Sequence, residues 1–269
     1  MHSGLGLSSR SRLRAWAAVG VPLALGVLQL THPTWTDGSV SQAVLAAGAW
    51  WIPLHVLLLL GYVALAATLW PEGVHVSVSR ALLVGFVVCN TAFLLIDGLV
   101  VGSLAGSQPA TADSVWNSPL TVGLGDLTGA LWCAALLAIG AARASAMPSS
   151  PASAGSPGQM PRSLIILVAL IWGGFVASLV TPAAIVVGSL ALVFAVYRTY
   201  TRKGAHAGLT FGLLALAALA RQHVGVEAAL GMLWIGLAAL GDALRGRSSP
   251  ERVSTGRPDP AASSPRGSD

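Results

Sequence analysis

Residues 164–197 read LIILVALIWGGFVASLVTPAAIVVGSLALVFAVY, 34 positions without one charged side chain. A helix crosses the hydrocarbon core of a bilayer with about 20 apolar residues. The run is too long for one ordinary crossing and just long enough for two short ones. Thr181-Pro182 lies in its middle. Proline can open a new helix after a tight turn, because the first helical N–H needs no partner. Whether the run counts once or twice decides the side on which every later loop falls.

Charge placement arbitrates. Counted twice, the run belongs to a series of eight apolar spans at 15–32, 45–69, 81–105, 119–142, 163–180, 182–198, 206–221 and 225–244. One side of the membrane then collects Arg10, Arg12, Arg14, Arg80, Arg143, Arg162, Arg198, Arg202, Lys203, Arg245, Arg247, Arg252, Arg257 and Arg266. That is 14 of the 15 Lys and Arg, with only Arg221 opposite. Counted once, the run inverts all later loops and splits the cations 7 to 8. Lys and Arg concentrate on the cytoplasmic side. The sequence therefore predicts eight helices with both termini cytoplasmic.

Composition points the same way. Hydrophobic residues make up 54% of the chain and charged residues 9%, against about 25% charged in a soluble domain. So few charges cannot coat a water-facing surface. Strand alternation is missing, which argues against a barrel. The expected class is an all-α polytopic bundle in a cell membrane, with the lipid bilayer as its partner. The net charge of +5 comes from arginines scattered at span ends. They read as orientation signals, and no nucleic-acid partner is expected.

The chain divides into a basic N-terminus (1–14), a first four-helix unit (15–143), a Ser/Pro/Gly/Ala linker (144–161), a second four-helix unit (162–245) and a polar tail (246–269) expected to be disordered. Gly129-Ala-Leu-Trp132 before Arg143 and Gly231-Met-Leu-Trp234 before Arg245 share offsets, which makes a duplicated unit conceivable. His32-Pro33-Thr34-Trp35 follows the first span where a signal peptide would carry a small-residue cleavage site, so that span is expected to stay. Trp35, Trp50, Trp51, Trp70 and Trp116 fall at span ends, as an interfacial aromatic belt does. Gly98, Gly102 and Gly106 recur on one face of the third span and read, with Gly173 and Gly174, as packing positions.

An ionisable residue inside a span is costly and therefore a functional candidate. Three stand out: His55, Asp97 and Asp126. At 1.5 Å rise per residue, each falls roughly 10–15 Å below the outer surface, and consecutive spans tend to be neighbours. Tyr62, Asn90 and Cys133 each lie two helical turns deeper than one of the three, on the same face of an ideal helix. They form a candidate supporting polar layer. His32 and Glu227 are candidates at the outer mouth, beside Arg221 and His223. His75, His206 and Asp242 read as boundary residues on the inner side.

The chemistry these residues permit is narrow in some directions and open in others. There is no HExxH, no HxxxH and no histidine pair at helical spacing, so no metal-ligand set is assigned. A bis-histidine haem needs a second histidine at the depth of His55, and His32 and His223 sit at the membrane edge. Retinal chemistry needs a lysine in a span, and none is there. Cys89 and Cys133 lie inside apolar runs, away from disulfide or zinc-finger spacing. A buried histidine with carboxylates suits proton or cation coupling, and proton- or cation-linked handling of a small solute is the leading expectation. A metal-dependent intramembrane enzyme using the same residues is the runner-up. A non-catalytic scaffold or complex subunit is the third reading, and it would tolerate loss of His55 and Asp97. Cofactor, catalytic residues, substrate and oligomeric state are not legible in the sequence.

Overall fold

The structure is a computed structural model that describes residues 9–33, 39–71, 77–147, 162–178, 181, 184–219 and 226–248. Helix accounts for 92% of them, with no strand among the described residues. The long elements are α1 (Ser9–Leu30), α3 (Trp51–Leu69), α4 (Ser77–Leu95), α7 (Pro119–Ala146), α8 (Arg162–Ser178), α9 (Ala184–Lys203), α10 (Ala205–Leu219) and α11 (Val226–Ser248). The short elements are α2 (Val40–Ala47), a 3-10 turn at Gly48–Trp50, a π-helical turn at Ile96–Val101, α5 (Gly102–Leu104) and α6 (Pro109–Trp116).

Each apolar stretch picked out in the sequence is helical over nearly all of its described residues. Five stretches are long and apolar enough to cross a membrane: Leu13–Leu30, Val40–Leu69, Ser77–Leu104, Pro119–Ala146 and Val226–Leu244. Ser163–Ala177 and Ala205–Leu219 are apolar but shorter, and α9 carries Arg198, Arg202 and Lys203 in its last turns. The exterior fits a lipid surround. Leu60, Leu190, Val193 and Leu209 are each more than 60% exposed, among dozens of outward-facing large apolar side chains. A surface apolar on this scale is what a water-soluble chain avoids.

Six helices close a ring. Contacts run from α1 to α3, α3 to α4, α4 to α7, α7 to α10, α10 to α11, and from α11 back to α1. The ring buries Phe86, Trp132, Leu136, Leu137, Phe211 and Leu214 at its centre. The α8–α9 hairpin packs outside, on α7 and α10. At one end, α2 and α6 lie against each other over a smaller cluster of Val40, Val44, Trp51, Val101, Ala105 and Ala112. Asp113 of α6 fastens that cap. Its two carboxylate oxygens accept from the Ser41 N–H and hydroxyl, both at 2.9 Å. The N-terminus of α2, with unsatisfied N–H groups and a positive dipole end, suits an acid there.

The opposite end is basic. Asp242 of α11 accepts from His206 of α10 at 3.0 Å and pairs with Arg143 of α7 at 3.6 Å. Lys203 donates to the main-chain oxygens of Ser145 and Met147 at the end of α7, where terminal carbonyls lack helical partners. The expected boundaries shift slightly. Helix α1 starts at Ser9, inside the expected basic N-terminus, and α7 runs three residues past Arg143 into the expected linker. The rest of that linker, 148–161, and most of the expected tail, 249–269, lie outside the described residues.

The α8–α9 crossing depends on glycine. A Cβ built on Gly174 would stand 2.6 Å from the Gly188 nitrogen and 2.7 Å from its Cα. Both are backbone atoms and cannot turn aside. Gly173 has nothing within 4 Å. Gly174→Ala should therefore cost about 1–3 kcal/mol of overpacking, measured as denaturant or thermal unfolding in detergent. Gly173→Ala should be neutral. Equal stability of the two variants would rule out the close crossing.

Candidate functional site

His55 sits one turn into α3, and its Nδ1 lies 2.8 Å from the Trp51 main-chain oxygen. A carbonyl only accepts, so Nδ1 carries a proton and donates. That leaves Nε2, 2.9 Å from Asp97 Oδ2. A ring nitrogen already holding its proton at Nδ1 and an ionised carboxylate are two acceptors. They meet at this distance only with a proton between them. Both side chains are buried, 2% and 5% exposed. The other carboxylate oxygen, Asp97 Oδ1, is buried with no hydrogen-bond partner among the described residues.

The backbone around Asp97 is built for this contact. Residues Ile96–Val101 form the π-helical turn. Such turns break the regular carbonyl ladder and recur at functional sites. The Asp97 carbonyl accepts from the Trp51 indole N–H at 3.1 Å. Trp51 also lies against His55, ring centroids 4.6 Å apart. Gly98 permits the approach of the two helices, since a Cβ there would collide with His55 Cβ and come within 2.8 Å of its Cγ. Gly102 does the same beneath Trp51, whereas Gly106 faces open space. The glycine stripe thus packs α3 through two of its three members.

His32 completes the cluster. It follows α1 directly, with its main-chain N–H on the Gln29 carbonyl. Its ring centroid is 5.3 Å from that of His55 and 5.5 Å from that of Trp51. Its Nδ1 lies 2.8 Å from the Pro33 oxygen, so again Nδ1 donates to a carbonyl. One ligand atom from each of His32, His55 and Asp97 lies within 4.8 Å of the others.

No family model matches the chain, and no curated protein or solved structure proves similar to it.

The remaining candidates scatter around this cluster. Asp126 is exposed on α7. It precedes the buried Thr128 by two residues, about 200° around a helix, and so points away from the ring's interior. Tyr62 is buried and its hydroxyl accepts from Gln29 Nε2 at 3.0 Å. Asn90 and Cys133 are buried on α4 and α7. Asn90 and Asp97, seven residues apart, are both buried on α4 and the π-helical turn that continues it. Glu227 is exposed in the first turn of α11. His75, Arg221 and His223 lie outside the described residues.

Three participants differ from the sequence reading. Trp51 is 1% exposed and holds the site instead of joining an interfacial belt, while Trp50 and Trp70 are exposed at the two ends of their helical run. His32, expected at the mouth, is buried against His55. Gln29 was not singled out, although a glutamine one turn before His32 in an apolar helix was the available signal.

Gly98→Ala should displace His55 and cost about 1–3 kcal/mol by overpacking. Gly106→Ala should change stability by less than about 0.5 kcal/mol. Unfolding of both variants in detergent checks this, and an unperturbed Gly98→Ala protein would sink the close α3 contact.

Proposed function

We propose that this is a multi-pass protein of the cell membrane that handles a small solute linked to a proton or cation, with His55 and Asp97 as the cation site. The observation that carries the reading is the buried His55–Asp97 contact at 2.9 Å, with Asp97 Oδ1 left without a partner. A carboxylate with an imidazole lone pair beside it is one positive charge short. In an apolar surround that deficit is costly. A proton or another cation makes it good, and its arrival or departure changes the charge of the site.

The proposed topology is eight crossings with both ends in the cytoplasm, the units 15–143 and 162–245 being joined by 144–161. The positive-inside count supports it. It puts Arg80, Arg143, Arg198, Arg202 and Lys203 on the cytoplasmic face and the His55–Asp97 contact toward the outer face. Tyr62, Asn90 and Cys133 would then lie deeper, as a supporting layer, and Glu227 at the mouth. Asp126, exposed on α7, would serve that mouth and not the pair.

Reconstitution separates this reading from a scaffold role. Proteoliposomes with an entrapped pH dye or a divalent-metal dye are given an imposed gradient of protons or metal. The wild type should conduct above protein-free vesicles. Asp97→Asn, still helical by circular dichroism, should fall to their level. Flux that survives Asp97→Asn unchanged, or a folded wild type without flux, overturns the proposal.

A further inference from the structure

We propose that His32, His55 and Asp97 together bind a divalent first-row transition-metal ion, through Nε2 of the two imidazoles and the carboxylate of Asp97. This rests on the cation-site reading above and names the cation.

The donor atoms come from three places in the chain: the end of α1, the first turns of α3, and the π-helical turn. One ligand atom from each residue lies within 4.8 Å of the others, and His55 Nε2 and Asp97 Oδ2 are 2.9 Å apart. Zinc–nitrogen and zinc–oxygen bonds of about 2.0–2.2 Å put tetrahedral ligands about 3.3 Å apart. The 2.9 Å contact is shorter than that value and the 4.8 Å limit longer, so side-chain movements of up to about 1.5 Å close the set.

Ring orientation strengthens the case. Each histidine donates from Nδ1 to a main-chain carbonyl at 2.8 Å, Pro33 for His32 and Trp51 for His55. Metal-bound imidazoles characteristically donate their far N–H to such an acceptor, which fixes the tautomer and aims the lone pair of the other nitrogen at the ion. Two histidines anchored in this way, facing one carboxylate, form a pattern that simple interhelical hydrogen bonding does not need. Asp97 Oδ1 is the second, independent sign. It is a buried acceptor without a hydrogen-bond partner among the described residues, and a cation is what satisfies it.

The donor set selects the ion class. Two nitrogens and one carboxylate suit Zn²⁺, Fe²⁺ or Co²⁺. Ca²⁺ takes six or more oxygens, and Mg²⁺ demands an oxygen octahedron. Three protein ligands leave a coordination position open, as at sites where the metal meets a solute or water instead of only bracing the fold. Trp51 is the supporting residue. Its indole N–H holds the Asp97 carbonyl, its own carbonyl holds His55, and its ring packs on both histidines.

The test uses the full chain purified in detergent, stripped with a chelator and titrated with Co²⁺. Wild type should bind one Co²⁺ per chain with visible ligand-field absorption, lose it to Zn²⁺, and show a raised Tm in Zn²⁺. His32→Ala, His55→Ala and Asp97→Asn should each weaken binding about tenfold or more, and Trp51→Phe by about 10–100-fold. Asp126→Asn should bind as wild type does. Circular dichroism on every variant excludes unfolding as the cause. A folded wild type that binds neither ion, or a His32→Ala protein that binds as tightly as wild type, overturns the inference. Asp97-dependent proton flux without metal binding would remove the metal and leave the cation-linked reading standing. Metal binding without any flux would do the reverse.

Discussion

Asp97, 3% exposed as a residue, buries a carboxylate inside a bundle whose outer surface is apolar. An uncompensated charge there costs several kcal/mol even after relaxation. Much of the local architecture answers that cost. The π-helical turn carries the Asp97 carbonyl, which accepts from the Trp51 indole. Gly98 lets α3 approach until His55 reaches Oδ2. His55 is held in turn by the Trp51 carbonyl, so one tryptophan fixes both members of the pair. The indole bond goes to the main-chain carbonyl, which any residue at position 97 would offer, so it positions the turn and leaves the carboxylate's charge to His55.

The pair was legible in the sequence for the same reason that it is costly. Charged and titratable residues are scarce in the apolar runs, so each one is conspicuous. What could not be read was rotation about the helix axis. His55, Asp97 and Asp126 all have suitable depths by counting, but depth leaves azimuth free. On α7 the buried face runs through Thr121, Thr128, Trp132 and Leu136, and Asp126 falls opposite it. Counting along the chain likewise puts His32 at the end of a span but does not show that its ring turns inward onto Trp51 and His55.

At the level of the fold, the helices were legible and their arrangement was not. Apolar length and Thr181-Pro182 mark where helices stop and start. Ser118 caps α7, accepting from the Thr121 N–H. The ring order is another matter. Apolar side chains give little direction to helix association in lipid, where small residues and a few polar contacts decide which faces meet. The contact between α1 and α11 closes the ring, yet nothing in either sequence names the other as its partner. The Gly174–Gly188 crossing is an exception in part. Gly173 and Gly174 both looked like packing positions, and only the structure distinguishes the one in contact from the one in open space.

Trp51 also joins the site to the cap. Its side chain belongs to the cluster under α2 and α6, with Val40, Val44, Val101 and Ala112, while its indole N–H and its carbonyl hold the two residues of the pair. The cap is itself tied across by Ser41 and Asp113. A displacement of α2 relative to α3 must therefore break Trp51 out of the apolar cluster or carry it along. In the second case the Asp97 carbonyl and the His55 ring lose their supports together. The coupling follows from one rigid side chain with two sets of obligations, and it runs in both directions. Whatever occupies the carboxylate draws His55 and the π-helical turn together, which fixes Trp51 and with it the floor on which the cap rests.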